Sequence, residues 1–304
     1  MRVGVVFSQA DSGTDPHAIH NWVRTAESAG FEHILAYDHI LGASPARLGP
    51  GPFGAFPAPP YTSDDVFHEI LTLFAHLAAV TSTLNFVTSV LVLPQRQTAL
   101  AAKQIATVDL LSGGRLRVAV GVGWNFAEYE GLGVDFRHRT AILEEQIDVL
   151  RRLWSQPLVD FDGRFHHLRG VGINPRPGRP IPIAIGSGAA EPVLRRVARK
   201  ADGWMPLLVP GLDATPLRDA VRRLRQLCED EGRDPTTLSI HGRVYLADGW
   251  QQRVHEAVEL GFTDLSIGYN RVANPGQPHS AHLEAAIEAK PEVDQIVGVE
   301  GGDK

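Results

Sequence analysis

The chain has 304 residues, 43% of them hydrophobic, which is enough to bury one large core. Its formal net charge of -6, from 29 basic and 35 acidic residues with no basic block, excludes an electrostatic footprint for nucleic acid and points to a small-molecule partner. No apolar run approaches the ~20 residues of a membrane helix, and the single cysteine, Cys228, excludes an internal disulfide framework, so a cytoplasmic location is expected.

The first run, MRVGVVFSQA, meets Asp11 and Asp15 instead of extending into the apolar core of a leader, and reads as a first strand. Eight short β-branched runs then alternate with segments of helical period: Val3 to Phe7, His33 to Tyr37, Leu84 to Leu91, Leu116 to Gly121, Ile181 to Ile185, Gly203 to Pro206, Leu238 to Leu246 and Asp264 to Ile267. Helices are expected at His17 to Ala29, Ala99 to Leu111, Arg139 to Trp154, Pro192 to Ala201, Leu217 to Glu231 and Gln252 to Leu260. Gly30, Gly113, Gly114, Gly203, Gly232 and Gly261 follow these segments, where a residue able to take positive φ closes a helix. This alternation predicts an α/β fold, a (β/α)8 TIM barrel in one domain over 1–304, in preference to an open doubly wound sheet. Cys228 falls in the charged helical segment LRQLCEDEG and reads as a structural thiol.

Two stretches break the pattern. Residues 41–63 concentrate proline, glycine and aromatics, exclude a regular element and predict a long loop on the catalytic rim, either a lid or a spacer. Residues 159–182 carry His166, His167 and NPRPGRP, and predict an insertion with a small hairpin; the histidine pair has a weak metal reading. After Asn270, a loop, one helix and a charged tail are expected.

Several strand ends carry chemistry. Strand two ends in Tyr37, Asp38 and His39, and a histidine beside a carboxylate can give or take a proton; alternatively Asp38 braces the next loop and His39 packs. In AVGVGW a buried strand ends at Gly121, Val122 and Gly123, where missing β-carbons would let a flat ring approach the backbone, with Trp124, Asn125 and Glu128 just beyond; a tight turn is the plainer reading. In IAIGSGAAEPVLRR, strand five enters Gly186, Ser187 and Gly188 before a helix whose free amides can hold a phosphate; Glu191 counts against this, and Arg195 and Arg196 either reach the anion or face solvent. Phe53, Phe56, Tyr61 and Trp124 are candidates for an apolar substrate wall.

The stretch LPQRQTALAAKQIATVDLLSGGRLRVAVGVGWNFAEYEGLGVDF resembles the signature region of luciferase-like monooxygenases, particularly their actinobacterial deazaflavin-dependent branch. AESAGFEHILAYDH, TSTLNFVTSVLVLP and PIPIAIGSG followed by ADGW occur in the family's order, so the resemblance spans roughly residues 1 to 270. It implies an oxidoreductase with coenzyme F420, or alternatively FMN, as cofactor. Contact of Asp38 and His39 with the cofactor ring is implied as well, with proton transfer in some members. It implies a non-proline cis peptide at Ser89 and Val90, beside Thr88 at the end of strand three, and a homodimer. Glu128 joins His39 and Asp38 as a catalytic candidate, and Thr88 to Val90, Gly121 to Asn125 and Gly186 to Gly188 are the cofactor candidates. An FMN-dependent monooxygenase and a non-catalytic flavin carrier are the rival readings.

Other barrel chemistries fail on composition. The lysines are Lys103, Lys200, Lys290 and Lys304, in expected helices or the tail, so no strand end offers a Schiff base. The 13 histidines include no HxH or HExxH pattern for a hydrolytic metal, and SQADSGTD after strand one lacks GxGxxG.

Overall fold

A computed structural model describes residues 1–51, 59–206, 215–269 and 279–298. Its parallel strands are β1 (Arg2–Phe7), β2 (His33–Ala36), β3 (Asn85–Thr88), β4 (Leu116–Gly121), β5 (Ile183–Ser187), β6 (Gly203–Pro206), β7 (Ser239–Tyr245) and β8 (Asp264–Gly268). β1 pairs with both β2 and β8, and Phe86 of β3 pairs with Leu116 of β4, so the sheet closes into the expected (β/α)8 barrel. The helices that follow the strands in turn are α1 (Pro16–Ser28), α2 (Ile70–Ala78), α3 (Thr98–Leu111), α4 (Arg139–Ser155), α5 (Glu191–Lys200), α6 (Thr215–Asp230), α7 (Trp250–Glu259) and α8 (His279–Val297). No helix among the described residues is long and apolar enough to cross a membrane.

Local chemistry explains most boundaries. Asp15 accepts a hydrogen bond from the His17 amide and Pro16 occupies the first turn of α1, so the helix starts there. Gly30, after α1, has a φ of 76°, the left-handed turn a helix end requires. Gly203 begins β6, as the sequence predicts for strand six, but it does not take the positive φ expected of a helix-closing glycine, and a β-carbon there would strike Ser239. β5 runs from Ile183 to Ser187, two residues later than the sequence predicts, because Ile181 and Pro182 lead into the strand.

Two elements correct the sequence reading. α2 has no sequence counterpart: Ile70, Leu71, Leu73, Phe74, Leu77 and Ala78 are buried at helical spacing, but over nine residues only Thr72 and His76 mark the exposed polar side. Within 41–63, Pro45–Leu48 forms one helical turn, capped where Ser44 accepts from the Arg47 amide; Phe53 and Phe56 lie outside the described residues. The insertion contains the expected hairpin, with Val159–Asp162 antiparallel to His167–Val171. His166 bonds to Thr98 and Glu145, while His167 bonds to Asp162, so the two rings serve separate local contacts.

The barrel interior is layered, because every second residue of a strand points inward. Val6, Leu35, Val87, Ala119 and Met205 form an apolar layer separate from the larger core between sheet and helices. Below it, toward the strand starts, lies a polar network: Arg117 pairs with Asp264 at 2.6 Å and with Glu32, Arg2 pairs with Asp264 at 2.7 Å, and His33 and His241 share Ser266 Oγ at 2.8 Å each. Burial holds both imidazoles below their ordinary value, His241 well below. Burial alone would raise Asp264, but the Arg2 hydrogen bond and the Arg117 charge outweigh it and hold the carboxyl low.

These shifts share a sign. A histidine depressed in the folded state adds stability above the unfolded value of about 6.5, and a depressed aspartate does so above about 3.9; both contributions are lost as pH falls. Urea unfolding is therefore expected to show stability flat near pH 7 to 8 and declining from about pH 6.5 downward. In His241→Gln the portion of the decline near pH 6 should shrink; an unchanged profile would remove this network from the acid response.

Candidate active site

At the carboxyl ends of the strands a cavity of about 230 Å3 opens in the barrel mouth. Its floor is the break in strand three. After Thr88 the chain passes through a cis peptide between Ser89 and Val90, as the family resemblance implies, and pairing with β4 resumes at Leu91–Val92. The Ser89 amide donates to the Ala36 carbonyl at 2.8 Å, while its hydroxyl oxygen is buried and has no hydrogen-bond partner among the described residues. Thr88 bonds through its side chain to both the carbonyl and the amide of Ala119, fixing β3 against β4.

The glycines at the strand ends act differently from the sequence expectation. A β-carbon on Gly121 or on Gly186 would overlap a Val90 methyl group, so their empty positions receive the Val90 side chain and not a ring directly. Val90, so seated, lines the cavity. Gly123, with a φ of 62°, lies at the rim, where a β-carbon would come within 2.8 Å of Val92. Gly186→Ala is expected to cost about 1 to 3 kcal/mol by overpacking. Thermal unfolding of Gly186→Ala and of Gly186→Ala with Val90→Ala checks this, since the second change should recover most of the loss.

Asp38 lies at the cavity edge but has both oxygens engaged. One accepts from the Val92 amide at 2.9 Å and the other from Arg96 at 2.7 Å, while Arg96 also holds Glu69 at 2.8 Å. Burial pushes the Asp38 carboxyl up, and Arg96 and the Val92 amide oppose that push. The geometry makes Asp38 the brace that ties the end of β2 to the resumed strand three. That is the bracing alternative from the sequence, and not a free proton carrier.

His39 faces the cavity. Its ring stacks on Tyr61 at 3.7 Å between centroids and meets Phe67 edge-on at 5.1 Å, and Trp124 completes that wall. Nδ1 lies 3.4 Å from Glu128, and Nε2 has no partner among the described residues. Glu128 stands behind this histidine, outside the cavity lining: it is buried and accepts from the amides of Ile40 at 2.7 Å and Leu41 at 3.1 Å and from Gln95 at 3.3 Å. Burial would raise its carboxyl, but the His39 hydrogen bond and these amides hold it below its ordinary value. Glu128 is thus a buried carboxylate held low in pKa behind the His39 ring, in contact with Nδ1. Asn125 caps the turn Phe126–Gly131 and donates to the Tyr61 hydroxyl at 2.6 Å, and the Val122 carbonyl accepts from Tyr129; neither side chain lines the cavity.

Gly186, Ser187 and Gly188 lie at the same end of the barrel, beside but not within this cavity. α5 starts without a side-chain cap at Ala190, but Pro192 has no amide hydrogen and the amides of Val193 and Leu194 donate to the Ala190 carbonyl at 2.8 and 3.1 Å, so only the amides before Pro192 are left to meet an anion. Glu191 is paired with Arg223 and Arg195, each at 2.7 Å, which offsets its repulsion. Those same pairs, and Arg196 with Glu144 at 2.5 Å, correct the idea that Arg195 and Arg196 wait for an anionic tail.

The sequence reading missed Arg243 and Tyr245, which enter the cavity from β7. The signal was present: in SIHGRVY, residues 241, 243 and 245 alternate onto one face, and that face is the barrel interior.

A closed parallel barrel with an aromatic, histidine-lined cavity at the strand carboxyl ends is the architecture of a barrel enzyme. The family profile described as luciferase-like monooxygenase matches residues 1–295, and the chain belongs to that family of oxidoreductases. An uncharacterized protein of Mycobacterium tuberculosis is 33% identical over 290 residues, 92% of this chain and 94% of that one. The FMNH(2)-dependent dimethylsulfone monooxygenase of Pseudomonas fluorescens is 32% identical over 209 residues, 66% of this chain and 51% of that enzyme. Among solved structures, an F420-dependent secondary alcohol dehydrogenase has the same fold with a TM-score of 0.76 at 15% identity, over 97% of this chain and 98% of that one.

Proposed function

We propose that the protein is an F420-dependent oxidoreductase that moves a hydride between the deazaflavin and a small organic substrate. The observation that carries this reading is the cavity floor: Val90, seated in the gaps left by Gly121 and Gly186, is an apolar part of the lining, and beside it lies an unpaired, buried Ser89 hydroxyl able to meet a polar ring edge. The amides that precede Pro192 at the start of α5, with the positive end of the helix dipole, lie at the same barrel end and would hold the cofactor's phosphate. When bound, the deazaflavin supplies a carbon that accepts or donates hydride. His39 then holds or delivers the accompanying proton through Nε2, Glu128 fixes the imidazole through Nδ1, and Asp38 with Arg96 keeps the floor in place. Tyr61, Phe67 and Trp124 exclude water from the reacting face.

The dimethylsulfone monooxygenase relative favours a second reading, in which the ring is reduced FMN and oxygen is a co-substrate. Equilibrium titration of the protein with F420 and with FMN separates the two. Tighter binding of F420 supports the proposal, and a preference for FMN overturns it in favour of the monooxygenase. Hydride transfer to or from F420 across a substrate panel separates either enzyme from a carrier. A homodimeric state accompanies this proposal as an expectation from the family resemblance, and a cytoplasmic site of action as one from the composition.

A further inference from the structure

We infer that Arg243, with the phenols of Tyr37 and Tyr245, forms a subsite that recognises a carboxylate-class anionic group on the substrate. The inference rests on the reading of this cavity as the redox substrate site. Arg243 lies on β7 in the barrel interior, above the apolar layer, and lines the cavity.

The other arginines of the interior and the floor are matched. Arg117 and Arg2 hold Asp264, and Arg96 holds Asp38 and Glu69. Arg243 has no carboxylate and no backbone carbonyl among the described residues, and its Nε is buried without a partner. What faces it is phenolic: its guanidinium carbon lies 5.7 Å from the Tyr37 ring centre, and the Tyr37 hydroxyl lies 3.3 Å from that of Tyr245. His241, two residues back on the same face, is held neutral by burial and offers no counter-charge.

A permanently charged group withdrawn from water without an anion is costly, and that cost falls when an anion arrives. The guanidinium offers a planar pair of donors that matches a carboxylate in two parallel hydrogen bonds, which a neutral alcohol or ketone cannot form. Burial pushes the Tyr37 phenol up, so it keeps its proton and can donate to the same anion. The rest of the lining is largely apolar, with Phe67 and Trp124 among it, so the matching ligand is a compact organic acid with an apolar body.

The test is calorimetric titration of the cofactor-free protein with butyrate and with 1-butanol, in wild type, Arg243→Met and Arg243→Lys, with F420 and FMN titrated in parallel. The expected result is butyrate bound more tightly than butanol by wild type, and at least about tenfold more weakly by Arg243→Met, with butanol unchanged. Arg243→Lys should fall between, and it replaces Arg243→Met if that variant does not fold. Equal binding of butyrate and butanol by wild type overturns the inference. So does a variant that loses cofactor affinity while keeping butyrate affinity, because the guanidinium then serves the cofactor. If wild type binds neither cofactor yet still discriminates butyrate through Arg243, the redox reading fails and the anion subsite stands.

Discussion

His39→Ala is expected to lower kcat for hydride transfer by about 10²- to 10⁴-fold while leaving cofactor affinity within a few-fold of wild type. The expectation follows from position and chemistry together. His39 is the imidazole lining the cavity, its Nε2 is uncommitted among the described residues, and its other nitrogen is steered by a buried carboxylate. Aromatic stacking on Tyr61 holds the ring plane, so the imidazole can act without first being ordered. Rapid-mixing kinetics with F420 and a turned-over substrate measures the effect. Glu128→Gln separates positioning from proton transfer: it should keep a substantial part of kcat, because the amide oxygen can still hold the ring through Nδ1. If His39→Ala retains wild-type kcat, proton management belongs to another group.

Arg96→Met is expected to destabilise the fold by about 3 to 5 kcal/mol, measured by urea unfolding at pH 7, because it strands a buried carboxylate. The Arg96 side chain is 9% exposed and that of Asp38 0%, so water cannot replace the lost partner. Arg96→Met with Asp38→Asn should recover a sizeable part of the loss, since the stranded charge is gone. A loss below about 1 kcal/mol in the single variant would place this pair with surface ion pairs in energetic terms. The consequence reaches the site: Asp38 also takes the Val92 amide, so loosening it loosens the floor under the ligand.

Periodicity and punctuation exposed most of the barrel. Valine- and isoleucine-rich runs alternate with helical segments because strands buried on both faces must be apolar throughout. α2 escaped because in a nine-residue apolar run only Thr72 and His76 mark the exposed side, and Pro45–Leu48 escaped because proline at a first helical turn resembles a loop breaker when read alone. At the site, the ionisable rim at Asp38 and His39 was legible from its place at a strand end. The roles of the two residues were not. Asp38 meets an arginine 58 positions away, and only the closed barrel brings Arg96 to it. Gly121 and Gly186 announced a gap, yet which group fills it depends on the break in strand three, which brings Val90 there before pairing with β4 resumes at Leu91. Glu128 was legible as a carboxylate beyond the glycine turn, but its place behind His39 depends on the chain after β2 folding back over it.

Diffraction from crystals soaked with F420 tests the central claim most directly. The account predicts the tricyclic ring lying against Val90, with a polar edge at Ser89 and the reacting face toward His39. Ring density outside this cavity, or a ring whose reacting face turns away from His39, would contradict it.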